Sequence, residues 1–178
     1  MAKTKAKTQV MNKEKKFSAG LLVSDRVQLK DVRLISCKCD QTPEATLGKK
    51  SYNIHYSTEV QVDKKTGYII VTAKFHFEAF TEGKTQKPVI LIDATFLLAY
   101  KIESFEGLTQ KGFEQFANLN GIYNAWPYWR EFVQNTVTRM GLPSLSIPVF
   151  RIVKPTTKKN DGKNTERKKT SKKTTSKK

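Results

Sequence analysis

The segment from Thr109 to Ile152 constrains the fold most, because it contains two helical patterns separated by a proline. Apolar residues three and four positions apart predict a first helix over Gln110–Gly121. Trp126 and Pro127 predict a break, since a residue before proline is disfavoured in the helical region and proline is tolerated in the first turn of a helix. A second helix is therefore expected to start near Pro127.

The second helix has an apolar stripe and a well-marked end. Gly141 is placed for a left-handed cap, and Pro143 prevents continuation of the helix. Beyond it, apolar residues alternate with other types around Pro148, which predicts an extended strap up to Ile152. The stripe consists of Trp129, Phe132, Val133, Val137 and Met140.

The chain before Thr109 has the alternating pattern of β-strands. A first strand is predicted from Val27 to Leu34, with a β-bulge at Lys30 and Asp31, where the alternation slips by one residue. The segment from Cys37 to Lys50 contains proline and glycine and is interpreted as a loop.

Three further strands follow. The first two cover Ile54–Val62 and Ile69–Phe77 and are predicted to form a hairpin, because Gly67 between them can adopt positive φ. The last strand covers Phe96–Ile102. Four strands followed by helices predict the α+β class, a four-stranded antiparallel sheet with two helices on one face. The 18 aromatic residues exceed what one such layer encloses, which favours self-association or an apolar groove.

The net charge of +17 is concentrated at the two ends of the chain. Residues 1–16 contain six Lys and one Glu, and residues 154–178 contain ten Lys and one Arg against one Asp and one Glu. Residues 17–153 therefore carry only +3 of the total. We expect one folded domain over 17–153 between two disordered basic tails, because the tails have almost no apolar residues to bury.

Cysteine and hydropathy patterns indicate a reducing, cytoplasmic environment. Cys37 and Cys39 are separated by one residue, so a disulfide between them would be strained and free thiols are expected. Neither a signal peptide nor a membrane-inserting segment is predicted. No metal site is predicted. Zinc normally requires four ligands, and two cysteines alone are a poor site to which only His55 and His76 could be added.

Nothing in the sequence points to catalysis. His55 and His76 lie on the polar side of their strands, and no motif places a nucleophile or a carboxylate beside them. We therefore predict a non-enzymatic protein without a cofactor.

Several segments resemble the SecB family of protein-export chaperones. Leu29–Leu34 is similar to the family's bulged opening strand, and the likeness extends from Ser24 to Ile152. The helical part resembles the family's successive motifs in their order, at Asn120–Asn124, Pro127–Glu131, Arg139–Pro143 and Pro148–Phe150.

The resemblance implies a homotetramer, built as a dimer of dimers, that holds unfolded or precursor polypeptides in apolar grooves without ATP. Rigid aromatic side chains can contact many side-chain shapes, and backbone pairing is independent of sequence. The residues expected to line the groove are Phe75, Phe77, Phe96, Leu98, Tyr100, Tyr123, Trp126, Tyr128 and Trp129.

Members that deliver cargo to the SecA motor present carboxylates on the exposed sheet face. Asp31 matches one of them and is the candidate partner-docking residue, but Ile35 and Ala99 stand where two others are expected. Two alternatives remain open. The protein could assist an antitoxin, as some SecB-like proteins do, or bind nucleic acid or ribosomes through its Lys-rich tails.

Overall fold

The computed structural model of this protein describes residues 19–82 and 87–151. They begin with a short helix, α1, at residues 19–24. The strands are β1 (Val27–Gln41), β2 (Lys50–Asp63), β3 (Tyr68–Thr81) and β4 (Ile90–Ile102), with a 3-10 turn at Pro43–Thr46. The helical part comprises α2 (Gln110–Phe116), a π-helical segment (Ala117–Gly121) and α3 (Ile122–Arg139). The predicted tails and the outermost residues of the predicted 17–153 domain lie outside the described residues.

The strands form an antiparallel sheet in the order β1-β4-β3-β2. This confirms the predicted α+β class and its four-stranded antiparallel sheet. The predicted β2–β3 hairpin is also confirmed, because Gly67 has φ 71° and its N–H donates to the Asp63 carbonyl at 3.0 Å.

Strand β1 lies at one edge of the sheet and contains the predicted bulge. Its register against β4 shifts between Leu29 and Asp31, and again between Leu34 and Ser36, where no bulge was predicted. The loop predicted from Cys37 is wrong for residues 37–41, which continue the strand. Backbone pairing with β4 extends β1 through this polar segment, whose side chains gave no apolar alternation. Cys37 and Cys39 are free thiols, as expected.

The two faces of the sheet differ in burial. Alternate residues of β3 and β4, among them Ile69, Val71 and Leu98, are fully buried beneath the helices. We call this the covered face. The opposite, open face has partly exposed residues along β3 and β4, including Ile70, Leu97 and Ala99 at its centre. The hydrophobic core therefore lies between the covered face and the helical segment.

A glycine allows the helical segment to approach the sheet closely. A Cβ atom added at Gly121 would lie 2.8 Å from Cγ1 of Val71, closer than real Cβ contacts come. Gly121 ends the π-helical segment, so the helix changes its hydrogen bonding where it crosses β3. The short α1 was not predicted from the sequence.

The predicted helix break at Trp126 and Pro127 is wrong, because α3 runs from Ile122 to Arg139 with Pro127 inside it. The two predicted helices are one helical segment, and its irregularity lies earlier, at Ala117–Gly121. An internal proline costs a helix about 3 kcal/mol. Burying the side chains of Trp126 and Trp129 against the sheet offsets a cost of that size, at about 1.5–3 kcal/mol for each large apolar side chain.

The predicted end of this helix is confirmed. Gly141 has φ 74°, and the N–H of Leu142 donates to the Val137 carbonyl at 3.2 Å. Residues 142–151 then run without helix or strand, and we call them the strap. Leu142 and Ile147 are buried, so the strap is packed onto the domain.

Candidate functional site

The site is built around aromatic rings where α3 crosses the covered face. Trp129 is fully buried and stacks on Phe75 of β3, with ring centroids 5.0 Å apart and an interplanar angle of 10°. Phe96 of β4 meets Phe75 edge-on at 6.0 Å. These three rings are buried, so they form a rigid floor beneath the more exposed residues.

Trp126 joins this floor to the surface. Its ring centroid lies 5.9 Å from that of Phe75, 6.0 Å from that of Tyr56 on β2 and 5.2 Å from that of Phe150 in the strap. Tyr56 also meets Phe150 edge-on at 5.9 Å and is 47% exposed. Trp126 itself is 8% exposed. The cluster therefore combines the buried ring of Trp126 with the partly exposed rings of Tyr56 and Phe150.

Two side chains of α3 hold the strap next to this cluster. The indole Nε1 of Trp126 donates to the carbonyl of Pro148 at 2.8 Å, and Nε of Arg130 donates to the carbonyl of Ile147 at 2.6 Å. A bond from a charged guanidinium is stronger than one between neutral groups. The strap is thus fixed by side chains at its middle.

A cavity of about 320 Å³ opens beside Trp126. Three of its walls, Tyr123, Tyr128 and Val149, are each about half exposed. Arg130 is the charged residue among those that line it. We call this cavity together with the exposed side of Tyr56 the groove. The cavity is lined by Leu29, Tyr123, Asn124, Trp126, Pro127, Tyr128, Arg130, Val149 and Phe150.

The structure divides the predicted groove residues into two sets. Tyr123, Trp126 and Tyr128 line the cavity. The other six are buried in the single chain and pack in the core beneath it, so in this chain they can support the groove without forming its surface. These six are Phe75, Phe77, Phe96, Leu98, Tyr100 and Trp129.

Tyr100 is a core residue of that set with a polar group. Burial raises the pKa of its phenol to about 12, and the hydrogen bond from Asn124 acts in the opposite direction. Nδ2 of Asn124 donates to the Tyr100 hydroxyl at 3.0 Å, which links β4 to α3 beside the cavity. The phenol therefore stays neutral and positions Asn124.

Asp31, the predicted docking residue, lies on the open face of the edge strand. It is paired in register with Ala99, and Nε of Arg33 donates to its Oδ2 at 2.6 Å. Ile35, at the second bulge, is 49% exposed. The carboxylate is therefore balanced by a cation on its own strand, and its docking role stays a prediction.

Sequence reasoning did not identify Tyr56, Val149 and Phe150 as groove residues. Tyr56 belongs to the alternating set of β2, and Phe150 ends a segment that resembles a family motif, so both carried a usable signal. Their proximity to Trp126 depends on how the strap folds back over α3, which no periodicity encodes.

No protein-family model matches the sequence, and no curated protein does. Among solved structures, the Mycobacterium tuberculosis SecB-like chaperone Rv1957, in complex with a ChAD peptide from the Rv1956 HigA1 antitoxin, is similar to this chain. The TM-score is 0.68 at 19% sequence identity, with 77% of this chain and 99% of that chain covered. A Streptococcus agalactiae protein of unknown function matches at a TM-score of 0.33 and 10% identity over 68% of this chain and 96% of that chain, too low to support an argument.

The first of these similarities establishes a SecB-like fold, as the sequence resemblance implied. In the described part of the chain, none of the helices has the length and apolar character needed to span a membrane.

Proposed function

We propose that this protein is an ATP-independent holdase chaperone that binds unfolded polypeptides in the groove beside Trp126. The observation that carries the proposal is the aromatic cluster of Tyr56, Trp126 and Phe150, which adjoins an open cavity instead of being sealed on all sides. The SecB-like fold supports it.

The chemistry of the groove fits capture of peptide side chains. Its lining is aromatic and aliphatic, apart from Asn124 and Arg130. The side chain of Arg130 is already bonded to the strap. The cavity is at the small end of ligand-binding cavities, so it accommodates one or two side chains and not a folded partner. Affinity for a long client would therefore come from several such sites acting together.

The same lining suits binding better than catalysis at this cavity. The residues around the cavity include no Ser, Cys, His, Asp or Glu that could act as a nucleophile or general base. Binding free energy would be used for holding a client, without a covalent step.

Assembly into the predicted homotetramer would provide several grooves on one particle. Edge strand β1 supports self-association, because Leu34 and Ile35 on it are each more than one third exposed. Exposed apolar side chains on an edge strand are candidates for such an interaction surface. Light scattering after size-exclusion chromatography should give four times the chain mass, and a monomer would contradict the assembly.

An antitoxin-assisting role is the second candidate. It is favoured by the similar Mycobacterium tuberculosis chaperone, which was solved with an antitoxin peptide. Export and antitoxin roles differ in client range. Proteins captured in cells should be many and unrelated in the first case and dominated by one partner in the second.

Capture of a chemically denatured, slowly refolding client tests the chaperone proposal. Tyr128→Ala removes an exposed groove ring and should weaken capture, whereas Tyr68→Ala removes a tyrosine of the open face and should not. Equal capture by both variants would refute the groove. Capture should also persist at high salt, because apolar contacts are not screened, whereas binding of nucleic acid through the Lys-rich ends would be lost.

A further inference from the structure

Both histidines of the chain lie directly opposite each other on the open face of the sheet. His55 of β2 is the register partner of His76 of β3, and their ring centroids are 6.2 Å apart. Asp93 of β4 is the register partner of His76 on its other side. Glu78 is two residues beyond His76, so it points to the same face. Three adjacent strands thus place four ligand-type side chains together.

Glu78 lies within reach of both imidazoles. Nε2 of His55 is 3.8 Å from its Oε1, and Nε2 of His76 is 3.7 Å from its Oε2. Nδ2 of Asn53 donates to Oε1 at 3.0 Å, which fixes the carboxylate in this row. The side chain of Glu78 is 23% exposed and is therefore the most enclosed of the group.

Asp93 orients His76. Nδ1 of His76 is 2.6 Å from Oδ1 of Asp93. Because a carboxylate accepts hydrogen bonds, Nδ1 carries the proton and the lone pair of the neutral ring is on Nε2, the nitrogen that faces Glu78. Metal-binding histidines are usually oriented in this way by a carboxylate on the second nitrogen.

We propose that His55, His76 and Glu78 bind a divalent transition-metal ion such as Zn²⁺ or Cu²⁺, with Asp93 as a positioning residue. Imidazole and carboxylate ligands suit these ions, and water would complete the coordination on the solvent side. Metal–ligand bonds of about 2.0–2.1 Å place neighbouring donors of a tetrahedral site about 3.3 Å apart. The two nitrogen–oxygen separations from Glu78, 3.8 and 3.7 Å, exceed that by roughly half an ångström.

Side-chain rotation closes this difference. In their present rotamers, the described His, Cys, Asp and Glu side chains form no group of three that could hold a metal ion. The imidazole of His55 can turn toward Glu78, because its side chain is 68% exposed, whereas His76 is held by Asp93 and keeps its orientation. Hairpin pairing places His55 opposite His76, and Glu78 lies two residues further along β3 on the same face.

The site is independent of the proposed chaperone function, because it lies on the open face and the groove lies on the covered face. Nuclear magnetic resonance of the imidazole nitrogens tests it directly in the full chain carrying Cys37→Ser and Cys39→Ser, which removes competing thiols. One equivalent of Zn²⁺ should shift Nε2 of both histidines while Nδ1 of His76 remains protonated. A shift of one histidine, or of neither, would overturn the proposal.

Matched variants show whether the carboxylates act as assigned. Glu78→Gln and Asp93→Asn should each weaken Zn²⁺ binding by about tenfold or more, the usual effect of losing a ligand or its orienting partner. Glu59→Gln, on the same face but paired with Lys74, should leave binding unchanged. Equal effects of Glu78→Gln and Glu59→Gln would mean that zinc binds the surface without this site.

Discussion

Substitution of Tyr56 tests whether one aromatic ring both stabilises the domain and binds the client. Its ring contacts those of Phe75, Trp126 and Phe150 at centroid distances of 6.3, 6.0 and 5.9 Å, and the residue is 47% exposed. Aromatic pairs contribute about 0.5–1.5 kcal/mol each when buried. Three such pairs, made by a ring that is itself about half exposed, predict that Tyr56→Ala lowers the free energy of unfolding by about 2 kcal/mol.

Tyr56→Phe is the matched control, because it keeps the ring. It should change the free energy of unfolding by less than about 0.5 kcal/mol. Urea denaturation gives these values, and client titration gives the affinity. Capture by Tyr56→Ala should weaken by about tenfold, or about 1.4 kcal/mol, while capture by Tyr56→Phe is retained.

A double-mutant cycle of Tyr56→Ala and Phe150→Ala isolates the interaction energy between the two rings from the effect of removing each ring alone. If the strap packs on Tyr56 as described, the two substitutions should couple by about 0.5–1.5 kcal/mol. Strictly additive effects on unfolding would refute the contact. A Tyr56→Ala variant that is destabilised but captures clients normally would refute the role of this ring in the groove.

The other predictions concern the elements that position the groove. Gly121→Ala should lower stability by about 1–3 kcal/mol because its Cβ meets Val71, and Val71→Ala should relieve much of that loss in the double variant, as measured by urea unfolding. Arg130→Met should leave the strap less fixed, giving faster hydrogen exchange in residues 142–151 with unchanged exchange in β3. Burial raises the pKa of Tyr100 to about 12, above its unfolded value, so this stabilisation is fully present below about pH 10 and roughly 3 kcal/mol at most is lost as pH rises from 10 to 12. Tyr100→Phe should not show this part of the loss of stability at alkaline pH. If the free energy of unfolding depended on pH identically in both proteins, the burial of the phenol would be contradicted.

Most of the sheet could be predicted because its strands and turns are determined by residues close together in the sequence. Alternation in β3 follows directly from one buried and one open face, and Gly67 and Gly141 occur where the backbone needs positive φ. The end of β1 could not be predicted in this way. Its polar residues 37–41 pair through their backbone with β4, and side-chain hydrophobicity does not report that pairing.

The helical segment shows why a proline is an ambiguous signal. Pro127 predicted a break because the local cost was considered without the burial of Trp126 and Trp129, which lie on either side of it and hold α3 against the sheet. The π-helical segment Ala117–Gly121 has no sequence signature that distinguishes it from an α-helix. Its position depends on contact with Val71, a residue fifty positions away.

The predicted groove residues were apolar positions on the correct face, but the sequence could not rank them by depth. Tyr123 and Tyr128 are at the surface, whereas Phe77 and Leu98 are in the core. Depth depends on where α3 crosses the strands. The opposition of His55 and His76 likewise follows from the register of the hairpin, which sets residues far apart in the chain side by side.

Photo-crosslinking to an unfolded client tests the central claim most directly. A benzophenone amino acid in place of Tyr128 should crosslink to a denatured client, and the same probe in place of Tyr68 on the open face should not. Crosslinks from both positions, or from the open face alone, would contradict client binding in the groove beside Trp126.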